Sequence, residues 1–120
     1  MAKSDPQPLS GREPGNGYSL VPTDRNGHGV ILAISGEIDI ANVQAFTDEV
    51  HSLLDGAFGP VTLDLKDCSF IDSAAIRALM ILAKEQGARG RTLRLSGVTG
   101  EPLRVLKVAG LVDSRLFATN

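Results

Sequence analysis

The chain has 120 residues, which is enough to bury one core and reads as one domain. Twelve basic and 14 acidic residues leave a formal charge of −2, so there is no basic footprint for nucleic acid, and with no Trp and one Tyr there is no platform for stacking bases. No apolar run approaches the ~20 residues of a membrane span, no signal-peptide pattern opens the chain, and the single cysteine, Cys68, excludes an internal disulfide; the expectation is a soluble cytoplasmic protein.

Residues 1–17 carry Pro6, Pro8, Pro14, Gly11, Gly15 and Gly17 among polar residues, with Leu9 the one sizeable apolar group after the start. That composition predicts a disordered tail ahead of a domain over residues 18–120. Residues 18–22 (YSLVP) read as a short edge strand, since Pro22 has no backbone N–H to give to a neighbour. Asp24-Arg25-Asn26-Gly27 is turn chemistry, and residues 28–36 (HGVILAISG) form the second arm of a hairpin. Gly36-Glu37-Ile38-Asp39 ends that arm. Val43, Phe46, Val50, Leu53 and Leu54 then recur at helical spacing, with Asp39 or Asn42 placed to cap the start. Asp55-Gly56-Ala57-Phe58-Gly59-Pro60 stops the helix.

Residues 61–76 organise the rest. VTLDL (61–65) alternates, with Val61, Leu63 and Leu65 on one side and Thr62 and Asp64 on the other, the period of a strand. Ile76, Leu79, Met80 and Ala83 recur at helical spacing. Between them residues 66–73 read as a short polar loop, and Ser73 is placed as the N-cap of the helix that follows. Gly87-Ala88-Arg89-Gly90 makes the exit, and residues 91–96 (RTLRLS) alternate again, with Leu93 and Leu95 inward and Arg94 outward. A last helix over residues 102–109 tolerates Pro102 in its first turn, and Gly110 is placed to end it in the left-handed conformation. Leu111, Val112, Leu116 and Phe117 are expected to pack back on the core. Strands joined through helices are usually parallel neighbours with right-handed crossovers. The expected class is therefore α/β: a mixed four- to five-stranded sheet with helices packed mainly on one face.

Catalytic and metal chemistry find little support. His28 and His51 stand without a Cys or His at ligand spacing. Cys68 has no His near it in sequence and reads as a buried structural thiol. Glu37 with Asp39, Asp64 with Asp67, and Asp72 are carboxylates of an ordinary solvated surface, and Gly97-Val98-Thr99-Gly100 lacks the Lys of a phosphate loop. Arg89, Arg91 and Arg94 read as a solvated face. The helix after Ser73 is less ordinary. Opposite its core stripe lie Ala74, Ala78 and Ile81, beside Arg77 and Glu85. Two readings apply to that side: a partner surface, or alanines serving as good helix formers. Two also apply to Ser73: a cap only, or a phosphate acceptor at a helix start, where anions are welcome.

Four pieces carry a resemblance to the STAS domain family and, within it, to bacterial anti-sigma factor antagonists. Gly36-Glu37-Ile38-Asp39 looks like the motif that ends the strand before the first helix. Residues 61–65 look like the central strand. Phe70-Ile71-Asp72-Ser73 looks like the loop with the phosphorylated serine. Residues 106–111, with Ala109-Gly110-Leu111, look like the end of the third helix. The likeness covers residues 18–117. It implies a non-enzymatic, cofactor-free regulator that binds an anti-sigma factor, itself an ATP-dependent serine kinase, and so releases a sigma factor. Phosphorylation of Ser73 would end that binding and a serine phosphatase would restore it. The resemblance places partner contacts at Asp39, Asp72, Ser73, Ala74, Ala75, Arg77, Ala78 and Ile81. Where the family commonly follows Asp-Ser with Ser or Thr and then Gly, this chain has Ala74-Ala75. The family also includes STAS domains that are never phosphorylated and serve in stress-sensing or lipid-transport assemblies. A third expectation, from a different class, is a small enzyme or ligand-binding domain using Asp72 and Cys68.

Overall fold

The computed structural model describes residues 17–26, 29–110 and 118–119, with side chains for residues 17–23 and 29–110. Strand β1 (Tyr18–Asn26) pairs antiparallel with β2 (Gly29–Ile38). There follow α1 (Val43–Leu54), β3 (Val61–Ile71), α2 (Ser73–Ala88), β4 (Leu93–Ser96), α3 (Gly100–Val108) and the two-residue β5 (Ala118–Thr119). The strands lie in the order β1-β2-β3-β4-β5, and every pairing after the hairpin is parallel. This is the mixed α/β sheet expected from the sequence.

Alternation decides which face of the sheet is covered. Leu20, Val30, Leu32, Ile34, Val61, Leu63, Leu93 and Leu95 are buried against Phe46, Val50 and Leu54 of α1, Ala75, Leu79 and Leu82 of α2, and Leu106 of α3. Their strand neighbours Ser19, Val21, Ile31, Ala33, Thr62 and Arg94 are part or wholly exposed. Successive right-handed crossovers in one direction along a sheet set their helices on the same side, which is where the core forms. Tyr18 closes its edge: its ring meets Phe46 edge-on at 5.8 Å and its hydroxyl donates to Glu49 Oε1 at 2.8 Å. No helix among the described residues is long and apolar enough to cross a membrane.

Several boundaries differ from those read in the sequence. The hairpin arms are longer, because β1 continues past Pro22 by a bulge between Pro22 and Asp24 that restores pairing at Ile31, Val30 and Gly29. The largest difference is in β3, where the expected loop after Leu65 is strand as far as Ile71. Asp67, Cys68, Phe70 and Ile71 pair with Ser35, Gly36, Glu37 and Ile38. Two register shifts insert extra residues on the β3 side, so Leu65, Cys68 and Ile71 are buried three residues apart. That spacing breaks the period of two by which strands are recognised. Helix α2 takes in Gly87 and Ala88, with Arg89 as its C-cap, and the chain turns away at Gly90, whose φ of +76° is left-handed. Gly110 has the left-handed φ expected of it, also +76°. The readings of the tail before Gly17, of His28, and of Leu111, Val112, Leu116 and Phe117 lie outside the described residues.

Gly36 is a position where only glycine fits. Its φ is +90°, and an added Cβ would stand 2.3 Å from the Gly17 carbonyl oxygen. The close approach lets Glu37 N–H donate to that oxygen at 2.8 Å and ties the start of β1 to the end of β2.

Candidate functional site

The parallel strands β2 and β3 end side by side, and each leads at once into a helix. Pairing holds β3 extended to Ile71, so Asp72 is the last non-helical residue, with φ −107° and ψ −174°. Its carboxylate does two jobs. Oδ1 accepts from Ala75 N–H at 2.9 Å, capping α2, and Oδ2 accepts from Ile40 N–H at 2.9 Å, holding the loop that leads to α1. The Asp72 N–H donates to Ile38 O at 3.3 Å, so backbone and side chain clasp the same neighbour. A hydroxyl has one oxygen and cannot serve both N–H groups in this way.

This corrects the expectation that Ser73 caps α2. Asp72 is the cap and Ser73 is the first helical residue. The Ser73 side chain is exposed, and its hydroxyl forms no hydrogen bond among the described residues.

The loop over residues 39–42 is braced from within. Asp39 Oδ1 accepts from Ala41 N–H at 3.0 Å, and Asp39 O accepts from Val43 N–H at 2.8 Å. Neither Asp39 nor Asn42 makes an ordinary side-chain cap on α1. Asn42 is buried at 8 % exposure and reaches back instead: its Oδ1 accepts from Asp39 N–H and its Nδ2 donates to Glu37 O, both at 2.9 Å. Ile40 is thus held in a fixed place although it is 78 % exposed.

Between α1 and α2 runs an open groove of about 580 Å³. Ile40, Val43, Gln44 and Thr47 form one wall, and Ser73, Ala74, Arg77, Ala78 and Ile81 form the other. The small-residue side of α2 read from the sequence therefore faces a second apolar wall. Helical spacing did not single out Ile40, Gln44 or Thr47: Ile40 precedes the helix, and its signal was a bulky apolar residue among loop formers, while Gln44 and Thr47 are polar and lie off the apolar stripe. Of the expected partner contacts, Ser73, Ala74, Arg77, Ala78 and Ile81 come together on the groove, while Asp39 and Asp72 lie at its loop end. Ala75 does not belong with them. At 1 % exposure it packs beneath the cap in the core and offers no side chain to a partner. Arg77 is the one cation lining the groove, and it forms no ion pair among the described residues. Further along, His51 Nε2 lies 2.8 Å from Glu85 Oε1 and links α1 to α2.

The catalytic alternative loses its parts. Cys68 is buried, and desolvation pushes its thiol pKa up; the bond to Phe70 O at 3.6 Å opposes this only in part and the charge of Glu37 adds to it. A thiol held protonated is a poor nucleophile. Both Asp72 oxygens are occupied by backbone N–H groups. Among the described residues no group of three or more His, Cys, Asp and Glu is placed to hold a metal ion.

A family model described as "Mlab, STAS domain" matches residues 21–117. No curated protein sequence matches the chain. Among solved structures, an anti-sigma factor antagonist from Mycobacterium paratuberculosis is similar with a TM-score of 0.73 and 16 % identity, over 86 % of this chain and 86 % of that one. The Bacillus cell fate determinant SpoIIAA in its phosphorylated form gives 0.62 and 17 % identity, over 85 % and 91 %. A murine anion transporter of the solute carrier 26 family gives 0.64 and 20 % identity, over 71 % of this chain and 14 % of the transporter. At such identities the likeness is one of fold.

Proposed function

The chain belongs to the STAS domain family, and from that premise we propose that it is an anti-sigma factor antagonist switched by phosphorylation of Ser73. Unphosphorylated, it binds a cytoplasmic anti-sigma factor through the α1–α2 groove and so frees a sigma factor. The anti-sigma factor, acting as a serine kinase, then transfers the terminal phosphoryl group of ATP. The bond from that phosphorus to the ADP oxygen breaks, a bond to Ser73 Oγ forms, the hydroxyl proton passes to a base of the kinase, and ADP leaves. A serine phosphatase hydrolyses the ester and resets the switch. The chain itself performs no chemistry.

The observation that carries this reading is the free, exposed hydroxyl of Ser73 on the wall of an apolar groove. Because Asp72 does the capping, Ser73 can be modified without undoing the helix start. A phosphate there adds about −1.5 to −2 charges and must keep its water. An apolar surface that docks by losing water is poorly matched to such a group. The mycobacterial structure of similar fold, named as an anti-sigma factor antagonist, supports this role.

A second reading has its own support: a STAS subunit held permanently in a larger assembly, with Ser73 never modified. The matching family model carries a different description from the antagonists, and the murine transporter holds such a fold as a small part of a long chain. Capture from the native cell on the wild-type chain and on Ser73→Ala, each with and without ATP, separates the two. The antagonist reading predicts an anti-sigma kinase on both baits, released by ATP from the wild type alone, with one phosphate mapped to Ser73. Retention of the same complex on both baits with ATP present supports the permanent subunit and contradicts the switch.

A further inference from the structure

We propose that Arg77 is the charge on which this switch turns: a carboxylate of the docked anti-sigma segment and the phosphate on Ser73 compete for one guanidinium. The inference rests on the antagonist reading and gives it a mechanism. Ser73 and Arg77 are four residues apart on α2, one turn along the same face, and both line the groove. Side chains so spaced have Cβ atoms about 5–6 Å apart, and an acid preceding a base by four is the favourable orientation. Both side chains are exposed and free to turn toward each other. The rest of the lining is apolar or neutral: Ile40, Val43, Ala74, Ala78 and Ile81, with Gln44 and Thr47. The partner chemistry that fits is therefore a helix or strand with small apolar side chains and one acid set against Arg77.

Unmodified, the chain presents an uncommitted guanidinium, since Arg77 has no ion pair among the described residues. A phosphate one turn earlier draws it back along its own helix in a charge-assisted, bidentate contact. The partner's carboxylate then loses its counter-charge and faces a dianion. A neighbouring carboxylate does not compete for Arg77 from within, because Asp72 is spent on Ala75 and Ile40 N–H groups. Repulsion by phosphate alone would not require Arg77. Competition for Arg77 therefore differs from simple charge clash: removing this one residue weakens both states.

The test uses the full chain with genetically encoded phosphoserine at position 73, with Arg77 intact and as Arg77→Gln. Titration followed by ³¹P NMR reads the second ionisation of the phosphate. A cation one turn away lowers it, by roughly 0.1–0.4 of a pH unit for an exposed pair at low salt. The expected result is a lower midpoint with Arg77 intact than in Arg77→Gln, the gap closing at high salt; coincident midpoints overturn the proposal. Circular dichroism confirms that Arg77→Gln, an exposed substitution, folds as the wild type does. The unphosphorylated pair is then compared for binding to the anti-sigma kinase captured above. Weakening of about fivefold or more in Arg77→Gln supports the proposal, and equal affinity overturns it. Failure to capture any kinase counts against the antagonist reading, whereas the two titration curves decide the Arg77–phosphate contact by themselves.

Discussion

Replacing Asp72 is the sharpest perturbation of the site, because one carboxylate joins two elements. In Asp72→Ala the cap to Ala75 N–H is lost, and so is the bond that holds Ile40 N–H, each of them 2.9 Å long. Removal of an N-cap acid costs about 0.5–2 kcal/mol, and a bond from a neutral donor to a charged acceptor is worth roughly 1.5–3 kcal/mol. Asp72 is only half-buried, so water partly replaces it and the low end applies: a loss of about 2–3 kcal/mol. For a chain of this length that corresponds to a fall in melting temperature of roughly 6–15 °C. Asp72→Asn keeps one acceptor oxygen and turns an NH2 toward the second donor, so it retains one bond and loses about half as much. With no Trp in the chain, thermal and urea unfolding are best followed by circular dichroism at the helix bands. Amide hydrogen exchange adds a local reading: Ile40 and Ala75 should both exchange faster in Asp72→Ala. A melting point within about 2 °C of wild type, or unchanged exchange at Ile40, would refute the double role.

Ser73→Ala should shift stability by less than about 0.5 kcal/mol, since its hydroxyl caps nothing; a loss of about 1 kcal/mol or more in urea titration would return the capping role to Ser73. Ser73→Asp should release the captured anti-sigma kinase by about tenfold or more while melting like the wild type, measured by titration of labelled chain. Gly36→Ala puts a Cβ into the Gly17 carbonyl at a left-handed φ and should cost about 2–4 kcal/mol in urea unfolding, with the start of β1 losing exchange protection first. The raised thiol pKa of Cys68 gives a pH signature. Folding favours the protonated thiol, so its contribution is fully present below the unfolded value of about 8.5 and is lost as pH rises through the higher folded value. Wild type should therefore lose more stability than Cys68→Ala between about pH 8 and pH 10. Parallel urea midpoints for the two across that range would show that burial does not hold the thiol neutral.

Much of this was legible in the chain because alternation and helical spacing report which side of an element is buried. VTLDL and RTLRLS gave their strands and inward residues, and the Val43-to-Leu54 stripe gave α1. The Ala74, Ala78 and Ile81 side of α2 was visible as too apolar for a lone surface helix. What escaped was set by pairing rather than pattern. Residues 66–71 mix Lys66, Asp67 and Ser69 with Cys68, Phe70 and Ile71 and lack alternation, yet neighbouring β2 holds them extended through two bulges. Because the strand end moved, the cap moved from Ser73 to Asp72. The Asp72–Ile40 bond spans 32 residues, and no local spacing encodes it. Ala75 was misplaced for a related reason: in a helix's first turn the core side is fixed by how the cap seats the helix, which short periodicity does not reveal. Gly36 showed as part of a motif, but the need for glycine became clear only with the Gly17 carbonyl against it.

The proposed switch requires that phosphate on Ser73 abolish docking in the α1–α2 groove. It is tested most directly by calorimetric titration of the captured anti-sigma kinase with two versions of the full chain, unmodified and carrying phosphoserine at position 73. The expected result is saturable binding by the unmodified chain and at least about a hundredfold weaker binding, roughly 2.7 kcal/mol, by the phosphorylated one. Equal affinity of the two would contradict it.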